Sequence, residues 1–546
     1  MTTGALDRTP SFVVTSAPQR VGPALTGLAC RHIRRGAAIV FVVAAGMSAV
    51  VATQYQSTFA GALDGPALQA LAANPAIRTL FGSPVALDDP GGFTVWRTGT
   101  PLAVLIGVWA LLTATRLTRG EEDAGRWDLL LAGRVRSADL VVRNLTVLAG
   151  AVVVVGAGVA VALVVAGTAA AGAVLHGAGL AGLGLIFAAL GGFAAQIMPT
   201  RASATGLSAA VLGTTLLMRM VADGIAALTW LHWVTPFGLL AELQPYAAEQ
   251  PGPLLILAAV PLLLGAGAVL AARCRDVGSG LLSVSTSRRP RTRLLGSVTA
   301  FAVRRTIRSW TGWALGVSAY YLLIGLLAVS ITEFLTDNAR FAELAAEAGF
   351  AGLGSVPGYA ATMFSLLGIP AGVYAAARIT AAGADEISRH TVLLFGLPVS
   401  RRQLAGAEIR VTVAGVLLLL ASAGVAVWVG TAAAGAPLGV GAALAGALNV
   451  TPVALLCLGA AVLALGWAPR AVLAVGALPA VGGFLLQVVA QSAGAPEWVG
   501  RLSPFAHLAL VPETPPDWEA MAVLSAVAVV LMITGVFGYA RRDLAI

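Results

Sequence analysis

Apolar residues dominate this chain in runs of about twenty, the length at which a helix crosses the ~30 Å hydrocarbon core of a bilayer. Six runs fall in the first half, near residues 36–55, 98–117, 141–167, 178–198, 203–221 and 253–272. Six more fall in the second, near 310–332, 359–381, 411–434, 438–466, 471–491 and 519–540. Since only helices and closed barrels satisfy their backbone inside lipid, the pattern predicts an all-α polytopic membrane protein with twelve transmembrane helices. Long external segments are expected at 56–97, 222–252, 333–358 and 492–518.

The polar positions repeat. Glu121-Glu122-Asp123-Ala124-Gly125-Arg126, then Leu129-Leu130-Leu131 and Gly133, is answered 263 residues later by Asp385-Glu386-Ile387-Ser388-Arg389, then Val392-Leu393-Leu394 and Gly396. Pro199-Thr200-Arg201 answers to Ala468-Pro469-Arg470, Thr235-Pro236-Phe237 to Ser503-Pro504-Phe505, and Arg275-Asp276 to Arg542-Asp543. In a chain of 546 residues such a period gives two homologous halves. We expect six-span halves at 18–272 and 294–546, joined by a cytoplasmic linker at 273–293, behind a disordered cytoplasmic tail at 1–17. Each half opens on an amphipathic stretch: Ala24, Leu25 and Leu28 before Arg31, Arg34 and Arg35, and Leu294, Leu295 and Val298 before Arg304, Arg305 and Arg308. That spacing predicts a helix lying in the membrane interface, with a cytoplasmic extension of the first span as the alternative. Trp230, Trp233, Pro236 and Phe237, and Trp498, Pro504 and Phe505, predict a helical hairpin dipping into the outer leaflet before the last span of each half. A surface loop is the alternative there.

Composition sharpens the picture. With 58% apolar and 11% charged residues and a mean hydropathy of +0.87, the chain could not stay soluble as a globular protein. It contains no Lys, and all but five of its 34 basic residues fall in the even-numbered loops, the termini or adjoining helix ends. The five exceptions are Arg78, Arg97, Arg219, Arg340 and Arg501, so the positive-inside rule puts both termini in the cytoplasm. The net charge of +9 thus reads as a topology signal facing anionic lipid, not as a nucleic-acid surface. No signal-peptide core precedes residue 36. Cys30, Cys274 and Cys457 are not placed for an external disulfide, and His32, His176, His232, His390 and His507 lack zinc-ligand spacing, so structural roles are expected for them.

The repeated acidic loop is the best candidate for the part that meets something in water. Glu121, Glu122 and Asp123 would sit in the first turn of a short helix, favoured by its dipole, and Arg126 stands four residues after Glu122, at salt-bridge spacing. The candidate contact residues are Glu121, Glu122, Asp123, Gly125, Arg126 and Leu130, with Asp385, Glu386, Arg389 and Leu393 in the second copy. A phosphate loop of the GxxxxGK[ST] type needs a Lys, so the chain cannot hydrolyse ATP by that route. No acidic residue falls in the middle of an apolar run, where ion-coupled carriers place their carboxylates, so energy must come from elsewhere. Trp109, Thr214, Thr215, Tyr374 and Gln487 are the polar or aromatic residues within runs that could line a substrate pathway, helix packing being the simpler role for each. No nucleophile elbow, metal-binding carboxylate pair or His cluster points to an enzyme.

The run from Arg119 to Gly133 resembles the cytoplasmic loop of type-2 ABC exporter permeases. The chain as a whole, including Arg541-Arg542-Asp543, resembles the duplicated actinobacterial permeases of polyketide-antibiotic (tetronasin-like) and multidrug exporters. That resemblance implies a type V-like fold of two six-helix bundles, each with an elbow helix, a cytoplasmic coupling helix and a re-entrant external hairpin. It implies that residues 119–134 and 383–397 dock on two copies of a separate ATPase subunit, which carries the ATP and Mg, this chain holding no cofactor. Alternating access would then move amphipathic or hydrophobic compounds such as antibiotics, drugs or lipids out across the bacterial cytoplasmic membrane. The second copy departs from the first: Gly383 or Ala384 stands at the first acidic position, Ser388 replaces Gly125, and Arg119 has no counterpart, so unequal contacts are expected. A major facilitator carrier, a proton-coupled drug antiporter whose loop signature Gly120, Asp123, Gly125 and Arg126 imitate one residue short, is the rival reading. A non-transporting assembly or sensor protein is the third.

Overall fold

A computed structural model describes residues 21–55, 78–79, 82–133, 135–282, 294–338, 351–387, 398–492 and 496–542. Among them every regular element is helical, and twelve helices are long and apolar enough to cross a membrane. Spans 1–6 are Gly22–Gln54, Pro90–Asp123, Ser137–Val165, Ala170–Ile197, Arg201–Gly224 and Pro253–Cys274. Spans 7–12 are Val298–Asp337, Val356–Glu386, Arg401–Ala433, Val440–Trp467, Pro469–Gln487 and Trp518–Arg541. Each takes in most or all of one apolar run of the sequence.

The helices outrun the apolar stretches at several ends. Val21–Gln54 is one helix of 34 residues, so the expected interfacial helix does not stand apart from span 1. Nothing in its sequence forces a break. Pro23 lies in the first turn, where its missing N–H costs nothing, and an internal Gly costs only about 1 kcal/mol. At ~1.5 Å per residue the helix exceeds the hydrocarbon thickness, so the turns bearing Arg31, Arg34 and Arg35 extend beyond it. In the second half Val298–Leu326 likewise runs unbroken through Arg304, Arg305 and Arg308, its start capped by the Ser297 side chain, which accepts from the Ala300 N–H.

Departures from regular helix fall at identifiable residues. Span 10 is divided into Val440–Asn449 and Thr451–Trp467 just before Pro452, and span 11 carries a π-helical turn, Leu478–Gly482, around Pro479. The described residues form two compact units: 1–53, 101–208 and 243–283 in one, 54–100, 209–242 and 284–546 in the other. Span 4 in the first and span 10 in the second are buried over most of their length, whereas spans 6 and 12 are largely exposed. Small residues make the enclosure possible. A Cβ on Gly156 would lie 2.4 Å from the Gly177 carbonyl oxygen, and one on Gly466 would lie 2.4 Å from that of Gly535, so these helices touch backbone to backbone.

The segments before spans 6 and 12 hold short helices: Ala226–Val234 and Pro236–Glu242 in the first, Glu497–Gly500 and Pro504–His507 in the second. Trp230, Trp233 and Trp498 are exposed, whereas Phe237 and Phe505 are buried. The repeated hydroxyl-Pro-Phe motif now has a local explanation. Thr235 and Ser503 accept hydrogen bonds from the Gly238 and Phe505 N–H groups, proline occupies the first helical position, and the phenylalanine anchors the turn.

Candidate functional site

The first acidic loop is built from four local pieces. Span 2 closes on a π-helical turn, Arg116–Gly120, and the short helix Glu121–Asp123; a turn at Gly125 and the helix Arg126–Leu131 follow. Gly125 has φ +68°, the left-handed region that glycine enters without strain, which lets the chain reverse within two residues. Trp127, 1% exposed, packs with Val141, Ala268 and Ala272 and pins the second helix against spans 3 and 6.

The charges of the loop divide into an inner and an outer set. Glu122 is buried, and Arg275, just past the end of span 6, grips it with both terminal nitrogens: Nη1 to Oε1 at 2.6 Å and Nη2 to Oε2 at 2.5 Å. The Gly278 N–H adds a third hydrogen bond to Oε1 at 2.7 Å. Arg119, 1% exposed, donates to the carbonyls of Pro199, Gly278 and Ser279 and pairs with Asp123 through Nε at 3.0 Å. The second oxygen of Asp123 accepts from the Arg201 N–H at 2.8 Å. The expected Glu122–Arg126 pair does not form. Arg126 instead clasps Glu121 with two bonds of 2.5 and 2.8 Å, because the Gly125 turn breaks the helical spacing that pairing would need. What the loop turns outward is Asp123, Ala124, Arg126, Asp128 and Leu129, the last 80% exposed, with Glu121 and Leu130 half-buried.

The second copy is described only to Ile387, so Arg389 and Leu393 lie outside the described residues. Glu386 is buried and pairs with Arg542 at the end of span 12, Nη2 to Oε1 at 2.7 Å. Arg305 of span 7 pairs with Asp385 and, through Nη1 at 3.1 Å, with Glu408 of span 9, whose other oxygen meets Arg378 at 3.1 Å. In their partners Glu122 and Glu386 correspond, one residue out of register with the 263-residue alignment. Two landmarks that stood apart in the sequence, the acidic loop and the Arg-Asp after the last span, therefore meet in each half.

The residues nominated for a substrate pathway do not gather. Tyr374 is fully buried against Trp313, ring centroids 6.0 Å apart, in the helix core. The Thr215 hydroxyl bonds back to its own helix at the Val211 carbonyl, Thr214 is exposed, and Gln487 lies 3.5 Å from the Ser503 hydroxyl. Trp109, half-buried, packs its indole nitrogen against Gly36. Neither the cavity lined by Arg305, Glu386, Glu408 and Tyr539 nor that lined by Leu25, Glu121, Trp127 and Asn144 includes any of the five.

A second charged cluster escaped the sequence reading. At the C-terminal end of span 5, Arg219 pairs with Asp223 at 2.6 Å and donates to the Thr100 hydroxyl at 3.0 Å. His232, on the short helix that follows, sits between two carboxylates: Nε2 to Asp223 at 3.1 Å and Nδ1 to Glu242 at 2.8 Å. An imidazole with an acid on each nitrogen satisfies both only when doubly protonated. Accordingly its pKa is raised from the ordinary 6.5, first by Asp223, with burial opposing and Glu242 adding. The signal was present: Arg219 was an arginine outside the positive-inside pattern, with an aspartate four residues on. Among the described residues no three His, Cys, Asp or Glu side chains are arranged to hold a metal.

Twelve helices long and apolar enough to cross a bilayer define a multi-pass membrane protein. Comparison with known proteins makes that more particular. Residues 295–540 match a family model described as the C-terminal domain of the multidrug efflux system permease Rv1217c. Over 483 residues, 87% of this chain and 86% of the relative, the sequence is 29% identical to the multidrug efflux system permease protein Rv1217c of Mycobacterium tuberculosis. Both similarities support a transport permease role.

Proposed function

We infer that this chain is the membrane permease subunit of an ATP-driven ABC exporter of the type-2 kind, with residues 18–272 and 294–546 as its two homologous six-span halves. Two copies of a separate ATPase subunit bind ATP and Mg, dock on the cytoplasmic loops at 119–134 and 383–397, and drive alternating access. The cargo is amphipathic or hydrophobic, in keeping with the multidrug efflux for which the relative is named, and it leaves across the bacterial cytoplasmic membrane with both termini inside. The observation that carries the reading is the two-faced first loop. Its inner face is bolted down by Glu122, Arg119 and Trp127, while its outer face presents Arg126, Asp128 and a fully projecting Leu129 to the cytoplasm. An apolar side chain 80% exposed among charges is what a docking partner covers. A proton-coupled carrier is disfavoured because the carboxylates near span ends, Asp223 and Glu408, are each paired with arginine rather than open to a coupling ion.

The test is reconstitution with an ATPase subunit purified in complex with the chain. Leu129→Asp should abolish complex formation while the permease alone still elutes as a folded monodisperse species. A complex that survives Leu129→Asp unchanged would remove the loop from the docking surface.

A further inference from the structure

Arg275 and Arg542 were landmarks of the duplication with no role attached to them. We propose that they are positioning residues that pass displacement of the loop after the second span of each half to the last span of the same half. This rests on the ATPase-driven reading above and deepens it by naming the path from the docking loop into the bundle.

Three observations converge on this. In each half the arginine after the last span holds the buried acid of the loop, Glu122 in one and Glu386 in the other. In each half the same guanidinium also reaches the cytoplasmic end of the fourth span: Arg275 Nε donates to Gln196 Oε1 at 2.9 Å, and Arg542 Nη1 donates to the Leu465 carbonyl at 2.9 Å. In the first half the chain beyond span 6 is strapped to the same place, since the Leu281 and Leu282 N–H groups donate to the Gln196 and Ile197 carbonyls. One planar side chain thus joins three elements in each half, with a glutamate as the acid both times and a different acceptor on the fourth span, the Gln196 side chain in one and the Leu465 carbonyl in the other.

The energetics favour transmission over slippage. Glu122 and Arg275 side chains are 1% and 3% exposed, so pulling the loop off its arginine breaks two buried charge-assisted bonds and leaves Glu122 only Arg119 of its own loop, 3.5 Å away, as a cationic partner. A rigid shift of the last span breaks no such pair and is the easier response. The planar, bidentate fork also fixes orientation as well as distance, which an apolar contact would not.

The experiment uses the full complex of permease and ATPase subunit reconstituted in lipid, comparing wild type with Arg275→Gln, Arg275→Lys and Arg542→Gln. The readouts are drug-stimulated ATP hydrolysis with Hoechst 33342 as the probe drug, and amide hydrogen exchange of residues 275–282 with and without a non-hydrolysable ATP analogue. In wild type, nucleotide should change exchange at 275–282. In Arg275→Gln that change and the drug stimulation should fall about tenfold while drug-free hydrolysis stays within about twofold, and Arg275→Lys should recover part of both. If Arg275→Gln does not assemble, Arg542→Gln with exchange at 536–542 carries the same comparison. A wild-type complex whose 275–282 segment ignores nucleotide, or a variant stimulated as fully as wild type, overturns the proposal while leaving the exporter reading intact. A chain that binds no ATPase subunit overturns the reading itself.

Discussion

The two halves treat the two ends of their spans differently. Where the loop after the second span meets the end of the last span, both keep a buried acid tied to an arginine, Glu122 to Arg275 and Glu386 to Arg542. Beyond the fifth span, among the described residues, the first half has a largely buried charged cluster of Arg219, Asp223, His232 and Glu242, whereas the second has the exposed pair Arg501 and Glu497. The position 268 residues after Arg219 holds Gln487, an uncharged amide, beside Ser503. A costly buried pair kept twice argues for a function common to both halves. One kept once argues for a task that the first half performs alone.

The largest expected effect separates the two buried ties. Arg275→Ala should destabilise the protein by about 3 kcal/mol, the low end for a broken buried pair, since Glu122 loses both bonds to Arg275 but keeps Arg119 and the Gly278 N–H. Arg542 is 20% exposed, so Arg542→Ala should cost only about 1–3 kcal/mol. Thermal unfolding in detergent measures both, and equal losses would erase the difference between the halves.

The cluster around His232 should respond to pH. Because the folded pKa of His232 is raised, its stabilisation is fully present below its unfolded value near pH 6.5 and is lost as pH rises through the higher folded value. Hydrogen exchange of residues 226–242, corrected for intrinsic rates, should therefore quicken with alkalinity in wild type and follow a flat profile in His232→Gln.

Smaller effects test the shape of the first loop. Gly125→Ala forces a left-handed residue and should cost about 1–2 kcal/mol, with Gly125→Asn costing less. The Glu121–Arg126 clasp is surface-exposed on the arginine side, so Glu121→Gln should change stability by about 0–1 kcal/mol and less in high salt.

The spans were legible because period and length suffice to recognise a bilayer helix, and all twelve runs have a span. Arg34 and Arg35 show what was not: helix continuity past the apolar stretch depends on the absence of a breaker, which hydropathy does not register. In the loop, local spacing suggested Glu122 with Arg126, yet the winning partner, Arg275, lies 153 residues away. Only tertiary structure supplies such a partner, although the shared repetition of both residues hinted at it. His232 was read as one of several scattered histidines, because its two acids are brought to it by a turn rather than by helical spacing.

The central claim is that ATP hydrolysed by a partner moves cargo through this chain. Proteoliposomes containing the permease and its ATPase subunit, loaded with Hoechst 33342, test it most directly. The account predicts transport that requires both the partner and ATP, persists when the proton gradient is collapsed, and disappears in Leu129→Asp. Transport by the permease alone, driven by an imposed proton gradient without ATP, would contradict it.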